Sequence, residues 1–131
     1  MQDVNVYSLA AEGGAQLSAH FKVREFACKD GADPVFVSPR LVQVLEVIRQ
    51  HFGAPVTVTS GYRTPAHNAH EGGAAKSQHL YGAAADIKVK GVSPAAVADY
   101  AEQLLGDHGG VGRYGAFTHI DVRADKARWR G

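Results

Sequence analysis

Two stretches of the chain combine a helix-start signal with apolar residues at helical spacing. Each begins with a Ser-Pro pair, in which serine suits the N-cap and proline suits the first helical position. Behind each pair, apolar residues recur every three or four positions, as on the buried face of a helix, and a glycine then ends the pattern. We therefore predict helices over residues 38–53 and 93–106. Their apolar faces consist of Leu41, Val44, Leu45, Ile48 and Phe52 in the first helix and of Val97, Tyr100, Ala101, Leu104 and Leu105 in the second.

Shorter stretches alternate apolar and polar residues or are rich in β-branched residues, as strands are. They predict strands at 56–60, 83–89, 109–114 and 117–122, with the last two joined as a hairpin. The segment between the first two strands indicates a short helical turn followed by a loop. This order of elements predicts an α+β fold in which both helices pack on one side of a small, mostly antiparallel sheet. A functional site is then expected on the other face of the sheet.

The first 37 residues show scattered apolar positions without a sustained period. We predict that this segment wraps around the main body, with Phe21 and Phe26 docked on it, Ser18 capping a short turn and a further turn at 31–34. A chain of 131 residues suits a single domain, here an N-terminal wrap (1–37) and a core that carries the site (38–131).

Composition excludes several classes of function. The formal net charge is +1, and no apolar run approaches the ~20 residues that a membrane helix requires. The basic tail, with Lys126, Arg128 and Arg130, is short and lacks an aromatic-rich basic face, so nucleic acid is not an expected partner. We expect the tail to pack Trp129 on the body while its charges meet water.

The N-terminus lacks the basic start and apolar core of a signal peptide.

The single cysteine, Cys28, cannot form an internal disulfide. It is expected to be a small core residue, since nothing around it in the sequence resembles the setting of an activated nucleophile.

Candidate chemistry centres on two histidines and a carboxylate. His79 and Asp86 lie seven residues apart around small residues, and His119 follows far downstream. Two imidazoles and a carboxylate form a three-ligand set that leaves one position of a zinc ion open for water. Asp121 shares a strand face with His119 and would be either a supporting partner of that ligand or a general base. Less favoured as ligands are His67 and His70, which are three residues apart.

Several motifs, in the same order, resemble one known family. These are Ser60-Gly-Tyr-Arg-Thr-Pro65, Asn68, Gly72-Gly-Ala74, Ser77-Gln-His79, Gly82-Ala-Ala-Ala-Asp86, Gly110-Val-Gly-Arg-Tyr114 and His119-Ile-Asp-Val-Arg123. Together they resemble the zinc D-Ala-D-Ala carboxypeptidase-type metallopeptidases, which cleave peptidoglycan and share the hedgehog/DD-peptidase fold. The resemblance spans residues 38–130, and the segment 17–28 is similar to small phage and bacterial members.

The resemblance implies roles for individual residues. His79, Asp86 and His119 match the zinc ligands. Arg63 matches an arginine that faces substrate oxygen atoms in the cleft. Supporting or substrate-contacting positions are matched by Ser77, Gln78 and Tyr114.

One departure from the family pattern concerns the catalytic base. Many members carry an acidic residue three positions before the last histidine, where this chain has Ala116. We therefore expect Asp121 to act as the base, with Glu71 and His108 as loop alternatives.

The implied activity is zinc-dependent hydrolysis of peptide bonds in peptidoglycan stem peptides or crosslinks, as a carboxypeptidase or an endopeptidase. The alternative is a non-catalytic zinc-containing cell-wall-binding module of the same fold, which the missing acid at Ala116 favours. The expected protein is a monomer that acts on the cell wall, released by a phage or exported by a route other than a signal peptide.

Overall fold

The computed structural model describes residues 3–131. Met1 and Gln2 belong to the N-terminus in which no signal peptide is expected and lie outside the described residues. The described elements comprise seven strands, four α-helices and two short 3-10 helices. The strands are β1 (Asn5–Ser8), β2 (Pro34–Val37), β3 (Val56–Ser60), β4 (Ala84–Val89), β5 (Gly110–Arg113), β6 (Thr118–Asp121) and β7 (Ala127–Arg130). The helices are α1 (Leu9–Glu12), α2 (Pro39–Phe52), α3 (Pro65–His70) and α4 (Pro94–Leu105), and the 3-10 helices are Val23–Phe26 and Gln78–Tyr81.

A five-stranded sheet forms the centre of the fold, in the order β3-β4-β6-β5-β7. All neighbouring strands are antiparallel except β5 and β7, which are parallel. Helix α2 packs against β4, α4 packs against β5 and β6, and the two helices contact each other. The predicted α+β class is therefore confirmed. None of the helices within residues 3–131 has the length and apolar character needed to cross a bilayer.

The two long helices begin and end where their sequence signals predicted. Ser38 Oγ accepts a hydrogen bond from the Leu41 N–H at 3.4 Å, and Ser93 Oγ accepts one from the Ala96 N–H at 3.2 Å. Such N-caps satisfy backbone donors that have no partner within the helix. Gly53 ends α2 in the left-handed conformation, at φ 60°. These signals are local, which explains why the sequence sufficed to place both helices.

The register of the sheet separates a helix-facing side from an open side. Ala85, Ile120 and Val111 lie opposite one another on adjacent strands and are buried in the core. Their sequence neighbours point to the other face, because side chains alternate along a strand. On that face, Asp86 pairs with His119, and His119 pairs with Gly112. The register therefore places Asp86 and His119 on the side of the sheet away from α2 and α4.

The two ends of the chain contain strands that the sequence analysis missed. β1 and β2 form a separate two-stranded antiparallel sheet, and β7 adds to the edge of the main sheet beside β5. Ser18 does not cap a turn as predicted, because its hydroxyl donates to the carboxylate of Glu46 on α2. Phe21 and Phe26 are buried in the main core, as expected of a segment that docks on the body.

Candidate metal centre

His79 is held in one orientation by the 3-10 helix Gln78–Tyr81. Ser77 caps this helix by accepting a hydrogen bond from the His79 N–H, and the His79 side chain is almost fully buried. Its Nδ1 lies 2.7 Å from the carbonyl oxygen of Gly61. Because a carbonyl only accepts, Nδ1 must carry the proton, and Nε2 is left with a lone pair in the neutral ring. That lone pair faces Asp86 Oδ1 at 3.3 Å.

His119 is held from the opposite side by a buried carboxylate. Its Nε2 lies 2.8 Å from Asp121 Oδ2, and its Nδ1 lies 2.9 Å from Asp86 Oδ1. Burial would lower the pKa of His119, but its hydrogen bonds to Asp121 and Asp86 outweigh burial and raise that pKa. A positive charge on the His119 ring, which lies between the carboxylates of Asp86 and Asp121, is therefore favoured.

Asp86 joins the two imidazoles into one cluster. Burial would raise its pKa, but hydrogen bonds from His119 and His79 outweigh it and lower the pKa to about 2. One ligand atom from each of His79, Asp86 and His119 lies within 4.8 Å of the other two, and all three side chains are buried. We call these three candidate ligands the metal cluster. Three converging acceptor atoms repel one another unless a cation lies between them. The donor set of two nitrogens and one carboxylate oxygen thus fits a divalent metal ion with an open position.

Arg63 extends from the loop after β3 and is fixed by three neighbours. Its Nε donates to Ser60 Oγ at 3.1 Å, its Nη1 to Asn68 Oδ1 at 3.3 Å and its Nη2 to Asp86 Oδ2 at 3.4 Å. The Arg63 backbone N–H donates to the His79 carbonyl oxygen at 3.0 Å. The structure therefore brings the predicted arginine to the metal cluster, with its guanidinium oriented in advance of any ligand.

A cavity of about 440 Å³ opens over the cluster. It is lined by the polar side chains of Arg63, Ser77 and Gln78 and by an aromatic wall of Tyr114, Phe117 and Trp129. Tyr114 and Phe117 stack with ring centroids 4.5 Å apart, and Trp129 Nε1 donates to the Tyr114 hydroxyl at 2.9 Å. The cavity thus combines polar and cationic groups with an aromatic wall, an arrangement suited to a ligand that carries both anionic and apolar groups.

Glycine at position 112 makes the aromatic wall possible. Gly112 lies between His119 on β6 and Trp129 on β7 in the sheet register. A Cβ atom at this position would lie 2.6 Å from the indole ring of Trp129. The Trp129 ring therefore occupies the space over Gly112, with its centroid 5.0 Å from that of His119.

Asp121 lies behind His119 and not in the cavity. Its side chain has no exposed surface, and Arg123 donates to both of its oxygens, from Nε at 2.8 Å and from Nη2 at 2.7 Å. Burial would raise the pKa of Asp121, but hydrogen bonds from His119 and Arg123 outweigh it and hold the pKa well below its usual range. Of the two roles that the sequence allowed, this position favours support of His119, and its use as a general base stays a prediction.

Of the other predicted bases and ligands, Glu71 lines the cavity, and the three histidines do not. Glu71 lines the cavity with its side chain half exposed, and one of its oxygens lies 3.3 Å from His67 Nε2. His108 lies on a distant loop, where its Nδ1 is 3.0 Å from the Ala124 carbonyl oxygen. Neither His67 nor His70 belongs to the metal cluster. Cys28 is buried away from the cavity, with its sulfur accepting from a backbone N–H, as expected of a core residue.

Several residues of the site were not assigned roles by sequence reasoning. Trp129 reaches the cavity because β7 pairs with β5, and no local feature of the sequence indicates that parallel pairing. Arg123 reaches it because it follows the end of β6 and binds Asp121. Nor does Arg128 simply meet water, since its guanidinium donates to the carbonyl oxygens of Gly106 and Gly109. Asn68 belongs to the family-like motifs of the sequence, and the structure gives it a role, because it is buried and accepts a hydrogen bond from Arg63.

Comparison with known families agrees with this geometry. The family model described as peptidase M15 matches residues 16–121, which is most of the chain and includes all three residues of the metal cluster. No curated protein matches the sequence. Peptidases of this family depend on a metal ion, and the cluster described above could hold one. The chain therefore belongs to the peptidase M15 family.

Proposed function

We propose that this protein is a zinc-dependent peptidase that hydrolyses peptide bonds in the stem peptides or crosslinks of peptidoglycan. The observation that carries the proposal is the convergence of His79 Nε2, Asp86 Oδ1 and His119 Nδ1, two of them fixed as lone-pair donors by hydrogen bonds on their far sides. Membership of the M15 peptidases supports hydrolysis of a peptide. The zinc and the cell-wall substrate come from the sequence motifs and remain part of the proposal.

His79, Asp86 and His119 would hold the zinc ion. When bound, zinc supplies a Lewis acid that polarises a peptide carbonyl and lowers the pKa of water toward ~7. Asp121 keeps the proton of His119 on Nε2 and so keeps Nδ1 available as a ligand atom. The carbonyl of Gly61 does the same for His79, with the proton on Nδ1.

Arg63 would bind substrate oxygen beside the cluster. Its guanidinium lies 3.4 Å from Asp86 and is held by Ser60 and Asn68, so it needs no reorganisation when negative charge develops. In other enzymes, removal of one such electrostatic donor costs roughly 2.7–4 kcal/mol of transition-state stabilisation. Gln78 and Tyr114 line the same cavity and would contact the substrate chain.

Glu71 is our candidate for the group that accepts and returns the proton. Among residues 3–131, it is the one carboxylate besides Asp86 that lines the cavity. Gly72, at φ 71°, lets the chain turn directly after Glu71, in a left-handed conformation that glycine adopts without strain. Glu71→Gln should therefore lower kcat at least 100-fold while metal content stays unchanged. An unchanged kcat would exclude Glu71 from proton transfer.

The test of the proposed function compares two histidine variants. His79→Ala should lose both bound zinc, measured by elemental analysis, and the release of peptides from purified peptidoglycan, measured by mass spectrometry with and without a chelator. His70→Ala is the matched control, because His70 is exposed and lies outside the metal cluster. Cleavage by His79→Ala at the wild-type rate would refute the metal role. Zinc binding by the wild-type protein without any cleavage would identify the non-catalytic module that the alanine at position 116 favours.

A further inference from the structure

A second cavity adjoins the metal centre, and the proposed hydrolysis does not use it. Its volume is about 550 Å³, larger than the cavity over the cluster. Its walls are largely apolar, and they include Phe36, Leu80, Tyr81 and Ala83.

The two cavities share part of their walls. Gln78 and Arg123 line both of them. Gln78 directly precedes His79, and Arg123 is bound to Asp121 behind His119, so the shared boundary is tied to two of the three metal-cluster residues. A chain that lies over the cluster can therefore continue into the second cavity without leaving the protein surface.

Backbone contacts hold the wall of the second cavity in place. Gly82, at φ 68°, lets the chain turn directly against β2, where an added Cβ would lie 2.3 Å from the Phe36 carbonyl oxygen. The Ser38 N–H donates to the Gly82 carbonyl oxygen at 2.9 Å. The 3-10 helix that carries His79 and Tyr81 is thereby fixed to the N-terminal two-stranded sheet, and the predicted wrap supplies one side of the cavity.

Tyr81 is an exposed aromatic residue that the packing of the fold does not require. Tyr81 is 51% exposed and is the one aromatic among the large exposed hydrophobic residues of the described chain. Exposed aromatic rings beside a cavity are typical of binding surfaces. Arg123 adds a polar group, because its Nε and Nη2 bind Asp121 while its Nη1 has no hydrogen-bond partner within residues 3–131.

We propose that this second cavity binds an extended arm of the peptide substrate, with apolar parts of the arm on Tyr81 and Phe36 and a carbonyl or carboxylate oxygen on Arg123. The proposal rests on the proposed peptidase function. A peptide suits the cavity better than a glycan does, because sugar rings require many hydrogen-bonding side chains. Among the described residues that line it, only Gln78, Arg123 and the Tyr81 hydroxyl offer such side-chain groups.

The experiment compares substrates of different length. Wild-type protein, Tyr81→Ala and Tyr81→Phe are assayed on N-acetylated tripeptide ending in D-Ala-D-Ala and on purified crosslinked muropeptide dimer. Tyr81→Ala should raise KM for the dimer about five- to tenfold, leave kcat unchanged and leave the tripeptide kinetics unaltered. Tyr81→Phe, which keeps the ring, should retain the wild-type KM. Leu104→Ala is the control, because Leu104 is also an exposed hydrophobic residue but lies on α4, away from both cavities.

Binding measurements separate failure of this proposal from failure of the proposed function. Calorimetric titration of the dimer into chelator-treated protein should show the same five- to tenfold weakening for Tyr81→Ala. If wild-type protein cleaves neither substrate but this weakening persists, the peptidase function fails and the arm-binding cavity stands. Equal effects of Tyr81→Ala on the tripeptide and the dimer, no effect on either, or competition by peptide-free glycan strands as strong as that by the dimer would overturn the proposal.

Discussion

Asp121→Asn tests whether this carboxylate supports His119 or takes part in the chemistry directly. The two oxygens of Asp121 accept from four N–H groups, namely His119 Nε2 and Arg123 Nη2 on Oδ2, and the Arg123 backbone and Nε on Oδ1. Asparagine replaces one oxygen with an NH2 group, which is itself a donor. In either orientation of the amide, two of the four hydrogen bonds are lost, and two donors face the new one.

The size of the effect follows from burial. Asp121 has no exposed side-chain surface, while the side chain of Arg123 is 32% exposed. Breaking a fully buried ion pair costs about 3–5 kcal/mol of unfolding free energy, and the access of water to Arg123 reduces this to about 2–3 kcal/mol. Metal affinity should fall about 10–100-fold, because the tautomer of His119 is no longer fixed. This factor corresponds to about 1.4–2.7 kcal/mol.

The assay measures metal affinity and turnover separately. Zinc affinity is obtained by competition with a chromophoric chelator, and kcat is measured with zinc in excess. Asp125→Asn is the matched control, since Asp125 is exposed in the segment that follows β6 and its replacement should change neither quantity. If Asp121→Asn instead binds zinc with wild-type affinity while kcat collapses at saturating zinc, Asp121 is the general base and the supporting role is refuted.

Two further predictions concern the packing over Gly112 and the attachment of the N-terminal segment to α2. Gly112→Ala should displace the indole of Trp129 and cost about 1–3 kcal/mol of unfolding free energy, measured by urea denaturation followed through the fluorescence of the only tryptophan. Gly115→Ala, where an added Cβ meets no atom within 4 Å, should leave both stability and emission unchanged, and equal behaviour of the two variants would contradict the close packing over Gly112. Burial would raise the pKa of Glu46, but hydrogen bonds from Ser18 and His20 outweigh it and lower the pKa below its ordinary value of 4.5. A lowered pKa stabilises the fold above the unfolded value and ceases to do so as pH falls through the folded one. The difference in unfolding free energy between wild type and Glu46→Gln, about 1 kcal/mol at pH 7, should thus disappear as the pH falls below about 4.5, and a difference that persists at pH 2 would refute this origin.

Much of the core was predictable because its signals are local. Ser38-Pro39 and Ser93-Pro94 begin the long helices, and β-branched runs and alternation mark β3, β4 and the β5–β6 hairpin. A helix cap acts over three or four residues, and a hairpin brings together strands that are already close along the chain. The two strands that carry Asp86 and His119, and the face of the sheet that both residues share, could therefore be predicted from the sequence.

The amino-acid sequence alone specifies the groups able to hold a metal, the two long helices and the central strands of the sheet. Tertiary structure alone decided which atom of each histidine is free, because the partners that fix the rings, Gly61 and Asp121, can be recognised only once the chain has folded. It also decided the position of Trp129, since β7 pairs with β5, which in turn pairs with β6. Pairing between segments far apart in sequence depends on burial and register across the whole molecule, and short stretches of sequence carry no record of it.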